Sequence, residues 1–134
     1  MNCLDGQIVN LISDKNMTII DMNVSGSSLK TIIIETFDTA SFLKIGNQLS
    51  VMFKETEVNI AKDFTGKISF QNRLNCSVKS INKGKLLSQI TLNFHSHDIS
   101  AIIATSECDG LELKENDTVL ALIKATEIMV APKC

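Results

Sequence analysis

Two lysines stand at matching places in apolar stretches seventy residues apart. Lys124 lies in Val119-Leu120-Ala121-Leu122-Ile123-Lys124-Ala125-Thr126-Glu127-Ile128, and Lys54 in Leu49-Ser50-Val51-Met52-Phe53-Lys54-Glu55-Thr56-Glu57-Val58. An amine flanked by residues that would line either face of a strand is costly to desolvate alone, so an anion or water should meet it. A lysine ending a strand also serves as an edge gatekeeper or a snorkelling surface residue, and a single copy would be read that way. Recurrence at one spacing raises the weight of anion chemistry and leaves both readings open.

Other reactive groups are less organised. His95-Ser96-His97-Asp98 puts two imidazoles on one face of a strand, a spacing that could clip a transition metal. Its counterparts seventy residues earlier, Ser25-Gly26-Ser27-Ser28, have the composition of a hairpin turn, so a surface turn is expected. Cys3, Cys76, Cys108 and Cys134 stand far apart with no Cys-x-x-Cys pair and read as reduced thiols, Cys108 as a packing residue. No Ser/His/Asp set and no paired carboxylates suggest catalysis, and the chain is expected not to be an enzyme.

The elements that must carry the lysines are short. Leu4 to Ile12, Met17 to Val24 and Leu29 to Ile34 read as strands separated by turns at Ser13–Asn16 and Ser25–Ser28. Thr36 to Lys44 could cap and form one or two helical turns, stopped at Gly46-Asn47. Leu49 to Ile60 reads as one long strand, and Lys62 to Lys67 as a connector. A constant offset of 70 with no gap then aligns the second half on the first, with identities that include Asn2/Asn72, Asn23/Asn93, Ile32/Ile102, Lys54/Lys124, Thr56/Thr126 and Glu57/Glu127. This is a tandem duplication, divided at 1–65 and 66–134. Each unit, with four or five strands and a short helix, suits a small OB-like β-barrel; the expected fold is all-β with short helices, two barrels in tandem. A unit of that size buries only about 60% of its unfolded surface, so the units should pack on each other.

Composition narrows the partners. The 134 residues are 44% hydrophobic and 21% charged with net charge −2, which is a globular composition without the basic field that draws a phosphate backbone. Six Phe with no Trp or Tyr supply few stacking platforms, so no nucleic acid is expected. Met1-Asn2-Cys3-Leu4-Asp5-Gly6 has neither a basic n-region nor a long apolar run, and no stretch reaches a bilayer span. The expectation is a cytoplasmic protein with no membrane partner.

The second unit opens Ser69-Phe70-Gln71-Asn72-Arg73-Leu74-Asn75-Cys76 and closes Ala121-Leu122-Ile123-Lys124-Ala125-Thr126-Glu127-Ile128-Met129. This resembles the Mop domain, a TOBE-like molybdate/tungstate-binding unit that opens Ser-Ala-Arg-Asn-x-Leu-x-Gly and closes Ala-Leu-Ile-Lys-Ala-Thr-Glu-Val-Met. Two units in tandem resemble a di-Mop molbindin over nearly the whole length. The resemblance implies an oxyanion store, a homotrimer of two-barrel chains with molybdate or tungstate between subunits and no other cofactor. It also implies contacts from Ser69, Gln71 and Asn72, from Thr105 and Ser106 before the helix, and from Lys124 with the Ala125 amide. In the first unit Lys54 and Thr36 are the matching candidates. Gln71 stands where the family has Arg, Cys76 where it has Gly, and the first unit lacks the opening Ser and Arg. The same fold could instead serve an anion-sensing module acting on a transporter or transcription factor.

A tetrahedral dianion needs no protein ligand on its metal. Hydroxyl, amide and ammonium donors at roughly 1.5–3 kcal/mol per charge-assisted bond suffice, and about five to seven of them reach micromolar affinity after association costs.

Overall fold

The computed structural model describes residues 1–35 and 40–133. The first half supplies β1 (Asn2–Asp14), β2 (Met17–Val24), β3 (Ser27–Ile33), β4 (Gln48–Phe53) and β5 (Asn59–Ala61). The second repeats the series as β6 (Asn72–Lys83), β7 (Leu87–Phe94), β8 (His97–Ala104), β9 (Thr118–Ile123) and β10 (Met129–Pro132), with the helix α1 (Thr105–Gly110) after β8. The expected all-β fold with two OB-like barrels is what the chain adopts.

Strict alternation builds each core. Along β1, Leu4 and Ile8 are buried while Cys3, Asp5 and Gln7 face water, and β6 repeats this with Leu74, Cys76 and Val78. Each long strand carries a bulge, between Ile8 and Asn10 and between Val78 and Ser80. On the opposite edge, backbone bonds extend the pairing into the loops before β4 and β9. Ile8 N–H donates to Asn47 O at 2.9 Å and Val78 N–H to Asp117 O at 2.8 Å.

The two sheets do not follow the two halves of the sequence. Their orders are β10-β4-β1-β2-β3 and β5-β9-β6-β7-β8, so each sheet takes an edge strand from the other half. Leu49 to Ile60 is therefore not the single strand expected. A 3-10 turn at Glu55–Glu57 breaks it, and β5 crosses to pair Asn59 with Leu122 on β9; the turn Ala125–Glu127 sends β10 back to pair Met129 with Met52 on β4. The exchange covers apolar strand faces that a lone unit would leave wet.

Three further side chains staple the halves, the two asparagines among them as a symmetric pair. Asn72 Nδ2 donates to Lys30 O at 2.9 Å while its Oδ1 accepts from Lys30 N–H at 2.6 Å, and Asn2 does the same with Ser100 at 2.9 and 2.8 Å. Each asparagine thus clamps the third strand of the other half. The buried Thr31 hydroxyl lies 2.7 Å from Ile128 O and 3.2 Å from Ala125 O, fixing the second 3-10 turn on β3.

A volume exchange separates the cores. A Cβ on Gly6 would stand 2.9 Å from Val51 Cγ2 and 3.2 Å from Val24 Cγ2, closer than packing allows. In the second half Cys76 takes that place and Ala121 replaces the valine, leaving room for the thiol. Gly6→Cys is expected to cost about 1–3 kcal/mol through overpacking, and Val51→Ala in the same chain to recover much of it. Urea midpoints of the two single variants and the double variant check this; purely additive losses would refute the compensation.

The helix expected in the first half starts on residues 36–39, outside the described residues, and of the rest of that stretch Ser41 and Phe42 form a turn. His95–Ser96 is the turn expected, both residues having positive φ (46° and 70°), while His97 and Asp98 already belong to β8. Asn93 Oδ1 accepts from Ser96 N–H and Asn23 Oδ1 from Gly26 N–H, which explains that shared asparagine. Among the described residues no helix is long and apolar enough to cross a membrane.

Candidate oxyanion site

Lys124 is not inside its strand. It follows β9 in an extended conformation (φ −70°, ψ 143°) and caps the 3-10 turn Ala125–Glu127, with Glu127 N–H donating to its carbonyl at 3.0 Å. Its side chain is exposed, so the desolvation cost expected of a lysine in an apolar run does not arise. Among the described residues no carboxylate pairs with it. The ammonium is left available to a ligand.

A cavity of about 240 Å³ opens beside it, lined by Ile32, Ser69, Gln71, Lys124, Ala125 and Thr126. Four of the residues anticipated from sequence thus meet at one place. Three elements bring them there: the connector before β6 carries Ser69 and Gln71, the turn after β9 carries Lys124 and Ala125, and β3 of the other half supplies Ile32. A water molecule takes about 30 Å³ of liquid volume, so the space accepts a tetrahedral oxyanion with several waters. Residues bearing ammonium, hydroxyl and amide groups line it.

Arg73 fixes the connector. Its guanidinium donates to Phe70 O at 3.1 Å and Ile68 O at 2.9 Å, shaping the segment that presents Ser69 and Gln71. Sequence reasoning missed Arg73, Ile32 and Thr126. The identity of Thr56 with Thr126 was a signal for the last; nothing marked Arg73 as a backbone clamp.

The remaining anticipated residues lie elsewhere. Asn72 is fully buried with both side-chain atoms engaged by Lys30, so that side chain faces away from ligand chemistry. Thr105 donates to Gly84 O at 2.8 Å and shares a 2.8 Å hydrogen bond with the buried Ser88, tying α1 to the β6–β7 loop. Neither Thr105 nor the exposed Ser106 lines the Lys124 cavity within one chain. Lys54 is exposed at the end of β4, as Lys124 is at the end of β9; Thr36 lies outside the described residues.

The other reactive side chains do not add to the site. Burial pushes the Cys76 thiol up to about 12, partly offset by a hydrogen bond with the Ala121 backbone, so it is a neutral packing group at physiological pH. His97 Nε2 lies 3.1 Å from Ser25 Oγ, and His95 packs edge-on against Phe94. Among the described residues no group of three or more His, Cys, Asp or Glu is placed to hold a metal ion.

A cavity with a lysine, a hydroxyl and an amide side chain on its wall is thus set on a tandem of strand-exchanged small barrels. Residues 68–130 match the TOBE domain. A cytoplasmic molybdate-binding protein, ModG, in a structure with molybdate bound, superposes with a TM-score of 0.91 at 22% identity, covering 98% of this chain and 96% of that one. A molybdate-binding protein from Sporomusa ovata is 37% identical over 51% of this chain and 100% of its own length, with a TM-score of 0.48. No curated protein sequence matches. Residues 68–130 thus carry a TOBE domain, and the whole chain shares the fold of the ModG structure.

Proposed function

We propose that this protein binds molybdate or tungstate in the cytoplasm as a store that buffers the supply of molybdenum. The observation that carries the reading is the convergence of Ser69, Gln71, Lys124 and Ala125 on one cavity from segments far apart in sequence. The names of the similar proteins add support: ModG is described as cytoplasmic and molybdate-binding, and the Sporomusa ovata protein as molybdate-binding. The role is binding, not catalysis.

The anion would be held through its oxygens. Lys124 supplies the charge, the Ala125 amide and the Ser69 hydroxyl supply directed donors, and Gln71 contributes its amide in place of a guanidinium. Thr126 is a further hydroxyl at the rim. Thr105 and Ser106 would join from a neighbouring subunit in a homotrimer. The exposed Leu86 and Leu87 beside them (78% and 61% accessible) suit an apolar contact there.

Titration calorimetry with molybdate, tungstate and sulfate, with light scattering for mass, tests this. Molybdate and tungstate are expected to bind at micromolar concentration or below, sulfate more weakly, on a particle of three chains. Absence of heat with both molybdate and tungstate near neutral pH would sink the reading.

A further inference from the structure

The first half carries a second copy of the turn. The offset of 70 that relates Lys124, Ala125 and Thr126 to Lys54, Glu55 and Thr56 also relates Gln71 to Met1 and Ile32 to Ile102. The 3-10 turn Glu55–Glu57 packs against β8 just as Ala125–Glu127 packs against β3, so the counterparts share one local geometry. One side chain breaks the match. Where the second copy has the methyl of Ala125, the first has the carboxylate of Glu55.

That carboxylate is engaged next to the copied turn. Glu55 Oε1 lies 2.6 Å from the α-amino group of Met1, at the position that Gln71 holds in the second copy. The α-amino group first, and then the Glu55 backbone amide, hold its carboxyl below the usual range. The amide is the counterpart of the Ala125 N–H that would donate to the oxyanion.

We propose that Glu55 is a built-in substitute for the ligand: its carboxylate takes the donors of the first copy and repels a dianion there, so each chain binds oxyanion through its Lys124 copy alone. This rests on the binding role assigned above to Lys124. The chemistry is a competition between a tethered monoanion and a free dianion for the same donors, in which the tethered group has the advantage of proximity and adds like-charge repulsion. Thr56 and Lys54 remain beside it as donors that Glu55 does not use in the chain.

Equilibrium dialysis with molybdate, read by elemental analysis for molybdenum, tests this on the full chain. Wild-type protein is expected to retain molybdate and Lys124→Ala to lose it. Adding Glu55→Ala to Lys124→Ala should restore up to about one anion per chain, and adding Lys54→Ala as a third change should remove it again. Glu55→Gln, which keeps the shape without the charge, should restore binding as well, and it replaces Glu55→Ala if thermal melts show that variant unfolded. If folded double variants of both kinds stay as empty as Lys124→Ala, the proposal is overturned. It is also overturned if Lys124→Ala alone retains molybdate that Lys54→Ala then removes. Failure of the Lys124 reading shows separately, as a wild-type protein that retains no molybdate.

Discussion

Lys124→Ala is expected to weaken molybdate binding about ten- to hundredfold, whereas Lys54→Ala changes it by less than about twofold. A hydrogen bond to a charged group contributes roughly 1.5–3 kcal/mol net, which corresponds to that range at about 1.4 kcal/mol per decade. Lys124 is exposed and forms no ion pair among the described residues, so its removal leaves no buried partner behind and the fold should melt unchanged. Lys54 has the same backbone setting, but Glu55 stands next to it. Calorimetric titration of both variants separates them. Equal losses would show that the two halves contribute alike, and no loss at Lys124 would move the site elsewhere.

Much of this arrangement was legible in the sequence because the duplication printed it twice. Strand positions, the Asn23 and Asn93 turns and the paired lysines all recur at one offset, and a period-2 pattern reads the same in both copies. The strand exchange was not legible. Leu49 to Ile60 alternates well enough to pass for one strand, since Phe53 and Val58 are both buried, and nothing in side-chain polarity reveals that Glu55–Glu57 turns the chain between them. The placement of Lys124 outside its strand followed from the matching turn Ala125–Glu127. Volume compensation was half visible: Gly6 and Cys76 differ at an aligned position, but only the 2.9 Å approach of Val51 explains why the Ala121 side tolerates a thiol. Asn72 shows a deeper limit. An asparagine amide can grip an anion or a backbone with equal competence, and the matched Asn2, in a half whose ligand residues differ, was the clue to the backbone role.

That role predicts the largest loss of stability from a single side chain. Asn72→Ala removes both hydrogen bonds to Lys30 and leaves that N–H and C=O without their partner on a partly buried stretch of β3. An orphaned group costs about 1–3 kcal/mol, so a total near 2–4 kcal/mol is expected after partial rescue by water, or a fall in Tm of roughly 8–16 °C at about 4 °C per kcal/mol. Asn2→Ala should fall by a similar amount, because its bonds to Ser100 have the same lengths within 0.2 Å. The pair separates structure from ligand contact. A backbone clamp predicts matched thermal losses in both variants, each with anion binding retained by the folded protein below its new Tm. If Asn72→Ala instead abolished molybdate binding with melting unchanged while Asn2→Ala left both intact, Asn72 would be a ligand residue and its hold on β3 incidental. The clamp also explains why the halves are expected to unfold together: each asparagine belongs to one half and grips the other, so neither third strand keeps its partners when the opposite half opens.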